Sequence, residues 1–304
     1  MRKLKTAIWL LQNRGIKNTF LYSVRKIFFF LSQKERNEFI DDTSLQSANI
    51  GDAVLHFHPS KKGVSEVVGI YGVHEPITTE IYLNSIKVGE SIIEIGANIG
   101  YYTLHALNSV GETGKVLGFE PVPDNVKVLK KNIAPYDNVQ IFNSVVSNKI
   151  GEVDFYISEI PNWGTLINSG ESHIKNKLSI PSVTLDDTVS NLENFKPDMI
   201  HMDIEGGEIV AFNGAWETIA TFKPKIFVEF HPFATGYDPV TNILNKLQEL
   251  GYSKCTYFDR TLDEPWIPRW IRQLSINEST IPELISIIEH GRASHCFTFL
   301  AEKP

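Results

Sequence analysis

The sequence predicts an α/β fold built around a mostly parallel β-sheet, and three observations carry that prediction. The first is the succession of a buried strand, a glycine turn and an apolar helix over residues 91–110. The second is a βα rhythm that continues to residue 144, because alternating strands and helices form parallel sheets with right-handed crossovers. The third is a later group of strands, of which the last, Ser294–Ala301, is expected to pair antiparallel with the sixth, Ser253–Phe258.

The remaining elements are predicted from local pattern. Glu75–Ile86 is expected to be a helix that leads into the core, and Ile209–Thr218 a helix after the fourth core strand. Gly151–Ser158 alternates apolar and polar residues, which is typical of a strand at a sheet edge. Residues 160–178 are polar and are expected to form a loop over the site, before a further strand at Ser179–Leu185.

The composition is that of a globular protein, with 304 residues, 42% of them hydrophobic and 21% charged. The two cysteines, Cys255 and Cys296, argue against a disulfide framework and favour a reducing, cytoplasmic location. No apolar run approaches the roughly 18 residues that a membrane-spanning helix needs. Residues 1–40 carry nine Lys or Arg and two acids, a charge of +7, which leaves -14 for the rest of the chain. An acidic body argues against nucleic acid as the substrate.

The glycine turn after the first strand indicates the cofactor. It reads Glu94-x-Gly96-x-Asn98-x-Gly100, which differs from the Gly-x-Gly-x-x-Gly pattern of dinucleotide-binding turns. A carboxylate at the position of Glu94 would repel a pyrophosphate but suits a ligand that carries an ammonium group. S-adenosylmethionine is such a ligand, because it joins an amino acid to an adenosine without any phosphate.

A second carboxylate is then expected at the end of the next strand, Val116–Phe119, where it would hold the ribose hydroxyls. Glu120 stands at that position. Ser144 and Val145 follow the third strand and are expected to flank the adenine. The alternative is that the two acids, Glu94 and Glu120, only cap helices.

A group of ionisable residues is expected to converge beside the cofactor. In open α/β sheets ligands bind beyond the carboxyl ends of the strands, where strand order reverses, so the first strand should neighbour the fourth. Asp203 would then lie near Glu94. Alternation along the strands places Asp203 and Glu205 on one side, and likewise Glu229 and His231. The predicted catalytic set is therefore Asp203, Glu205, Glu229 and His231.

Three roles are open for this set. His231 has the ordinary pKa, about 6.5, that suits a base for methyl transfer to a hydroxyl. Alternatively, the carboxylates hold a divalent metal that acidifies the hydroxyl. In either case, Glu208 is expected to join the group from the helix start. The third alternative is a structural cluster of salt bridges with Lys223 or Lys225.

The chain is predicted to divide into an N-terminal helical arm and hairpin, residues 1–74, and a catalytic domain, residues 75–304, with an insertion at 260–292. The hairpin is expected to pair Asp52–Phe57 with Val64–Ile70, because both segments alternate weakly around a proline-glycine stretch.

The basic arm of residues 1–40 has two alternative roles. It is expected to pack on the domain or on a second subunit of a homodimer. The alternative is an amphipathic helix on anionic lipid, which would give peripheral contact at the inner membrane surface. In the insertion, Trp266 and Trp270 are four residues apart and would share one face of a helix, suited to a sugar or an apolar partner.

Several stretches together resemble the FkbM-type S-adenosylmethionine-dependent methyltransferases. They are Ile93-Glu94-Ile95-Gly96-Ala97-Asn98-Ile99-Gly100-Tyr101, Phe119-Glu120-Pro121-Val122-Pro123, Val183-Thr184-Leu185-Asp186-Asp187, Asp203-Ile204-Glu205-Gly206-Gly207-Glu208 and Val228-Glu229. The resemblance implies a Rossmann-like class I methyltransferase fold with seven strands and an antiparallel last strand. It also implies O-methylation, often of sugars or polyketides. The predicted cofactor set is Glu94, Gly96, Ala97, Asn98, Gly100, Tyr101, Glu120, Pro121, Ser144, Val145 and Asp203.

The leading hypothesis is thus O-methylation of a sugar, a glycan or glycolipid, or another small molecule, with S-adenosylmethionine as the donor. A nicotinamide-dependent oxidoreductase on the same sheet is the first alternative, and the missing Gly-x-Gly-x-x-Gly pattern counts against it. A non-catalytic cofactor-binding module is the second, and the acids retained at both strand ends count against that one.

Overall fold

The computed structural model describes residues 45–58, 63–158, 164–165 and 174–303, together with residues 20, 24 and 27–32. In chain order, the strands are β1 (Gln46–Ile50), β2 (Ala53–Phe57), β3 (Ser91–Ile95), β4 (Lys115–Phe119), β5 (Val139–Phe142), β6 (Val145–Val146), β7 (Gly151–Ser158), β8 (Gly164–Thr165), β9 (Ile174–Val183), β10 (Met199–Met202), β11 (Lys225–Phe230), β12 (Lys254–Asp259), β13 (Asn277–Thr280) and β14 (Phe297–Ala301). The helices are Val64–Tyr71, Pro76–Ser85, Tyr101–Val110, Pro123–Asn132, Leu185–Ser190, Glu208–Asn213, Trp216–Phe222, Pro232–Thr235, Tyr237–Glu249, Arg269–Gln273 and Ile281–Glu289, with a 3-10 turn at Arg260–Leu262.

The predicted α/β architecture with a mostly parallel sheet is confirmed. The central sheet has the order β13-β12-β14-β11-β10-β3-β4-β5. All seven predicted strands lie in it, and β13, which the insertion contributes, adds an eighth strand at one edge. β14 runs antiparallel between β11 and β12, as predicted. The strands β3 and β10 are parallel neighbours, so the order reverses between them and a crevice opens at their carboxyl ends.

Alternation along the strands divides the core into two layers. On β3, Ile93 and Ile95 face a core that is closed by helices between residues 185 and 289. Ile92 faces the opposite core, which is closed by the β1–β2 hairpin and by helices between residues 64 and 132. Both faces of the sheet are covered, which is why the central strands are almost continuously apolar.

The predicted pairing of the N-terminal hairpin is wrong. β2 pairs antiparallel with β1 across the turn at Gly51, while Val64–Tyr71 is a helix. Val64, Val67 and Val68 are all buried, and their i, i+3, i+4 spacing places them on one helix face. Helical periodicity therefore prevailed over the weak alternation of this segment.

A second sheet lies beside the first and was not predicted. Its order is β6-β9-β7-β8, and β7 and β9 pair antiparallel along most of their length. β9 begins at Ile174 and ends at Val183, so the predicted strand starts earlier and the predicted loop is shorter. Most of that loop lies outside the described residues.

The segment predicted as one helix, Ile209–Thr218, belongs to two helices, because the helix is interrupted at Gly214. A Cβ on Gly214 would stand 2.0 Å from the carbonyl oxygen of Ser147, so only glycine permits this close approach. The break lets the second helix, Trp216–Phe222, pack at its own angle.

The described part of the arm contacts the insertion of the same chain. Val24 is buried with Leu262, Ile267 and Ile271, and Phe28 packs against them. The two insertion tryptophans do not share a helix face, because the helix begins at Arg269; Trp266 packs in this cluster and Trp270 is 60% exposed. Among the described residues, no helix has both the length and the hydropathy to cross a membrane.

We expect acid to destabilise the fold through His105, on the helix Tyr101–Val110. Its side chain is buried, and burial lowers its pKa to about 4. As the pH falls, the histidine of the unfolded chain takes up a proton first, near pH 6.5. The contribution of neutral His105 to the free energy of unfolding is therefore complete above that pH and is lost as the pH falls toward about 4. The loss amounts to about 3 kcal/mol.

Denaturant unfolding of His105→Leu against the wild-type chain measures this effect. The variant should lose less free energy of unfolding between pH 6.5 and pH 4, and the comparison at pH 8 gives the difference that packing alone causes. Parallel pH profiles for the two proteins would contradict the assignment.

Candidate functional site

The turn after β3 abuts the end of β10. Gly96 has a φ of 95°, and a Cβ there would stand 2.2 Å from the carbonyl oxygen of Asp203. The Asp203 amide donates to the carbonyl of Ile95 at 3.1 Å. Glycine is therefore required at position 96 by the neighbouring strand end as much as by the bend of the turn. Gly100 is required by a helix, since its Cβ would lie 2.7 Å from Leu129 Cδ1.

Glu120 ties the glycine turn to the end of β4. Its Oε2 accepts from the amide of Asn98 at 2.8 Å, and its Oε1 accepts from the amide of Val122 at 2.9 Å and from Asn125 at 3.1 Å. The side chain is buried, and burial raises its pKa. Glu120 and Asn98, which both belong to the predicted cofactor set, are thus joined by a hydrogen bond.

Glu94 lies within β3, and its side chain points to the face of the sheet that the helix Pro76–Ser85 covers. One oxygen accepts from the Tyr82 hydroxyl and the other contacts His201 Nδ1 at 2.8 Å, and all three side chains are buried. Burial alone would lower the pKa of His201, but Glu94 raises it above its ordinary value. Both oxygens of Glu94 already have protein partners, so the predicted contact with a cofactor ammonium stays a prediction and would have to share them.

A buried hydroxyl is left without a partner at the end of β5. Ser144 is 4% exposed, and its Oγ has no hydrogen-bond partner within the described part of the chain. Val145, buried beside it, opens β6. An unsatisfied hydroxyl is costly unless a ligand pairs it. Together with the glycine turn and Glu120, this edge of the sheet fits an adenosine-containing ligand.

The four predicted catalytic residues converge, and His231 is at their centre. Its Nδ1 lies 2.8 Å from Glu208 Oε1, while its Nε2 lies 3.3 Å from Glu205 and 3.2 Å from Glu229. Burial lowers the pKa of His231, but the carboxylates, Glu208 first, raise it well above the ordinary value. The expectation of an ordinary pKa is therefore wrong, because both ring nitrogens face carboxylates.

Arg260 and Glu75 complete the cluster, and the sequence did not indicate either. Arg260 Nε contacts Glu229 at 3.0 Å, and another guanidinium nitrogen contacts Glu75. Burial would raise the pKa of Glu75, but Arg260 lowers it far below its usual range. Lys223 and Lys225, the counterions proposed from sequence, bind elsewhere. The position of Arg260, directly after β12, was the signal available, since β12 runs parallel to β11.

The carboxylates of the cluster outnumber its cations, and two of them have raised pKa values. Burial raises the pKa of Asp203 to about 7 and that of Glu205 to about 8. Asp203 Oδ1 has no hydrogen-bond partner in the described residues. Three overlapping sets could hold a metal ion, because their ligand atoms lie within 4.8 Å of one another: Asp203, Glu205 and His231; Glu229, His231 and Cys296; and Glu75, Asp203 and Glu229.

Comparison with known proteins identifies methyltransferases. A family profile for the methyltransferase FkbM domain matches residues 94–254, just over half of the chain. The 2-O-methyltransferase NoeI of Sinorhizobium fredii is 25% identical over 202 residues, which cover 61% of this chain and 81% of that protein. The hexuronic acid methyltransferase AglP of Haloferax volcanii is 26% identical over 170 residues, which cover 55% of this chain and 66% of that protein.

Among solved structures, the methyltransferase FkbM from Methylobacillus flagellatus superimposes with a TM-score of 0.42 at 15% sequence identity. The superposition covers 73% of this chain and 50% of that one.

We expect Arg260→Leu to destabilise the protein by about 3–5 kcal/mol at neutral pH, because it leaves Glu75 and Glu229 buried without their cation. Urea unfolding measures the change. Arg269→Leu is the matched control, since Arg269 pairs with Glu80 at 2.9 Å on the surface and such pairs contribute less than about 1 kcal/mol. Equal losses in the two variants would show that the cluster does not depend on Arg260.

Proposed function

The chain belongs to the FkbM family of S-adenosylmethionine-dependent methyltransferases, and from that premise we propose that it methylates a hydroxyl group of a sugar or glycan. The observation that carries the proposal is Asp203 at the strand reversal, whose buried Oδ1 has no partner among the described residues. A hydroxyl can donate to such an oxygen. The family match also speaks against the nicotinamide-dependent alternative.

The crevice suits a sugar because it offers acceptors to a molecule rich in hydroxyl donors. Asp203 and Glu205 form no ion pair with Arg260 among the described residues. Two relatives point the same way by name, since one is called a 2-O-methyltransferase and the other a hexuronic acid methyltransferase. An excess of carboxylates disfavours an anionic acceptor, so a neutral sugar fits this crevice better than a uronate does.

The cofactor would be held along the ends of β3, β4 and β5. Glu120 would accept from the ribose hydroxyls, and Ser144 and Val145 would flank the adenine. When bound, S-adenosylmethionine supplies a methyl group on a positively charged sulfur. Gly96 brings the cofactor side of this edge next to the backbone of Asp203, so donor and acceptor would meet at the end of β10.

On the acceptor side, Asp203 and Glu205 would draw the hydrogen of the attacking hydroxyl. His231 is not the group that receives it, because both of its nitrogens already face carboxylates. Glu229 and His231 would instead hold the neighbouring acids in place. The candidate catalytic residues are thus Asp203 first and Glu205 second.

The proposed function is tested by incubating the full chain with a donor that carries a labelled methyl group and with the sugar nucleotides, glycans and glycolipids of a cell extract. Mass spectrometry should find the label as a methyl ether on a sugar. Label only in lipid, protein or nucleic acid would contradict the proposal.

Glu120→Ala should weaken cofactor binding by about 1–3 kcal/mol, since the ribose hydroxyls would lose a buried acceptor. Calorimetry with S-adenosylhomocysteine measures the affinity. Asp187→Ala, at an exposed aspartate on the helix Leu185–Ser190, serves as the control. Unchanged affinity in Glu120→Ala would refute the assignment of this carboxylate.

Asp203→Asn should lower turnover by roughly 100- to 10,000-fold, which is the usual contribution of a group that receives a proton. Cofactor affinity should stay within a few-fold of the wild-type value, as calorimetry can show. Asp187→Asn is again the control. Wild-type turnover in Asp203→Asn would exclude Asp203 from the chemistry.

A further inference from the structure

We propose that Asp203, Glu205 and His231 form a binding site for a divalent metal ion, of the manganese or zinc class, beside the acceptor hydroxyl. The proposal rests on the proposed function, because it concerns the same crevice. The ligand atoms of the three residues lie within 4.8 Å of one another. His231 Nε2 and Glu205 Oε2 are 3.3 Å apart. Two ligands at about 2.0–2.1 Å from a tetrahedral metal are separated by about the same distance.

The histidine is held in the way that a metal-binding histidine requires. Its Nδ1 lies 2.8 Å from Glu208 Oε1, and that same oxygen accepts from the amide of Gly206 at 2.8 Å. Histidines that bind metals usually donate their second ring nitrogen to a carboxylate, which fixes the tautomer and the ring plane. In this arrangement His231 Nε2 faces Glu205, the proposed ligand, at 3.3 Å and Glu229 Oε1 at 3.2 Å.

Two buried oxygens beside these ligands lack donors. Glu208 is fully buried and its Oε2 has no partner within the described residues, and the same is true of Asp203 Oδ1. A buried acceptor without a donor is costly, and native structures contain few of them. Asp203 belongs to the proposed ligand set, so a cation there would pair its unsatisfied carboxylate, whereas Glu208 lies on the Nδ1 side of the imidazole and would hold the histidine rather than the ion.

The distribution of charge favours the same position. Arg260 engages Glu75 and Glu229, so the cation it supplies is already committed. Within the described residues, neither Asp203 nor Glu205 forms an ion pair with Arg260. A divalent ion would compensate these two carboxylates, since buried charges are paired or coordinate metals.

The overlapping set of Glu229, His231 and Cys296 is the weaker choice. Glu229 Oε2 contacts Arg260 at 3.0 Å, and Glu229 Oε1 accepts from the Cys296 thiol at 3.0 Å. Both oxygens of that carboxylate thus have partners. Two carboxylates and one imidazole, without a thiol, suit manganese or zinc rather than the softer ions.

A metal at this position would give the two acids a more specific role. A bound ion lowers the pKa of a coordinated hydroxyl and orients it. Asp203 and Glu205 would then act on the acceptor through the ion rather than by direct contact. Residues 203–231 supply all three ligands and the carboxylate behind the histidine, so the site needs no segment from the arm or the insertion.

The test measures binding of the metal alone to the full chain. The protein is stripped with a chelator, dialysed, and titrated with Mn²⁺, Zn²⁺ and Mg²⁺ by calorimetry, with thermal unfolding in parallel. We expect saturable binding of one Mn²⁺ or Zn²⁺ per chain and a higher unfolding temperature.

Three variants probe the site, and two serve as controls. Glu205→Gln and His231→Gln should weaken metal binding at least tenfold, and Glu208→Gln by roughly 10- to 100-fold through the histidine. Cys296→Ser and Asp187→Asn should bind as the wild-type chain does. Glu205 is partly exposed, so Glu205→Gln should fold normally, and its unfolding temperature without metal checks this.

Two results would overturn the proposal: no saturable binding by the wild-type chain, or binding that Cys296→Ser abolishes while Glu205→Gln leaves it unchanged. The measurement needs no acceptor, so its failure is distinct from that of the proposed function. Methylation of a sugar by the stripped protein, at full rate with chelator present, contradicts the metal site alone. Metal binding without any methylated sugar contradicts the proposed function alone.

Discussion

The burial of several carboxylates at one edge of the sheet is the constraint on which the rest of the site depends. Such a cluster is stable only with counterions inside it, and Arg260 and His231 supply them. Arg260 follows β12, His231 follows β11, and Glu75 precedes the helix Pro76–Ser85. The ion pairs therefore join three distant parts of the chain at the place where strand order reverses.

The same reversal brings the glycine turn after β3 into backbone contact with the end of β10. Gly96 in the turn after β3 touches the carbonyl of Asp203, and no side chain fits between them. Behind this contact, Glu94 on β3 and His201 on β10 are register partners and form a buried pair. The parallel strands β3 and β10 thus hold the pair of Glu94 and His201 within the sheet, and the acidic cluster lies beyond the carboxyl end of β10.

The family match and the cluster overlap only in part. Asp203, Glu205, Glu208, Glu229 and His231 all lie within residues 94–254, whereas Glu75, Arg260 and Cys296 lie outside. The matched residues supply the glycine turn, Glu120 at the end of β4, and most of the carboxylates of the cluster. The main cation of the cluster, Arg260, therefore comes from outside the matched residues.

The sequence by itself determined the α/β class, the seven core strands and the identity of the acids at their ends, because these follow from local periodicity and from turn chemistry. It could not determine the helix at Val64–Tyr71, since a short apolar segment fits both strand and helix until its neighbours are known. It could not determine the second sheet either, since local pattern does not show which strands pair. Only the tertiary structure decided that Arg260 rather than a lysine neutralises the cluster and that His231 faces carboxylates on both nitrogens. The counterion of a buried acid and its pKa depend on distances and burial across the fold, and the spacing of residues along the chain does not reveal these distances or this burial.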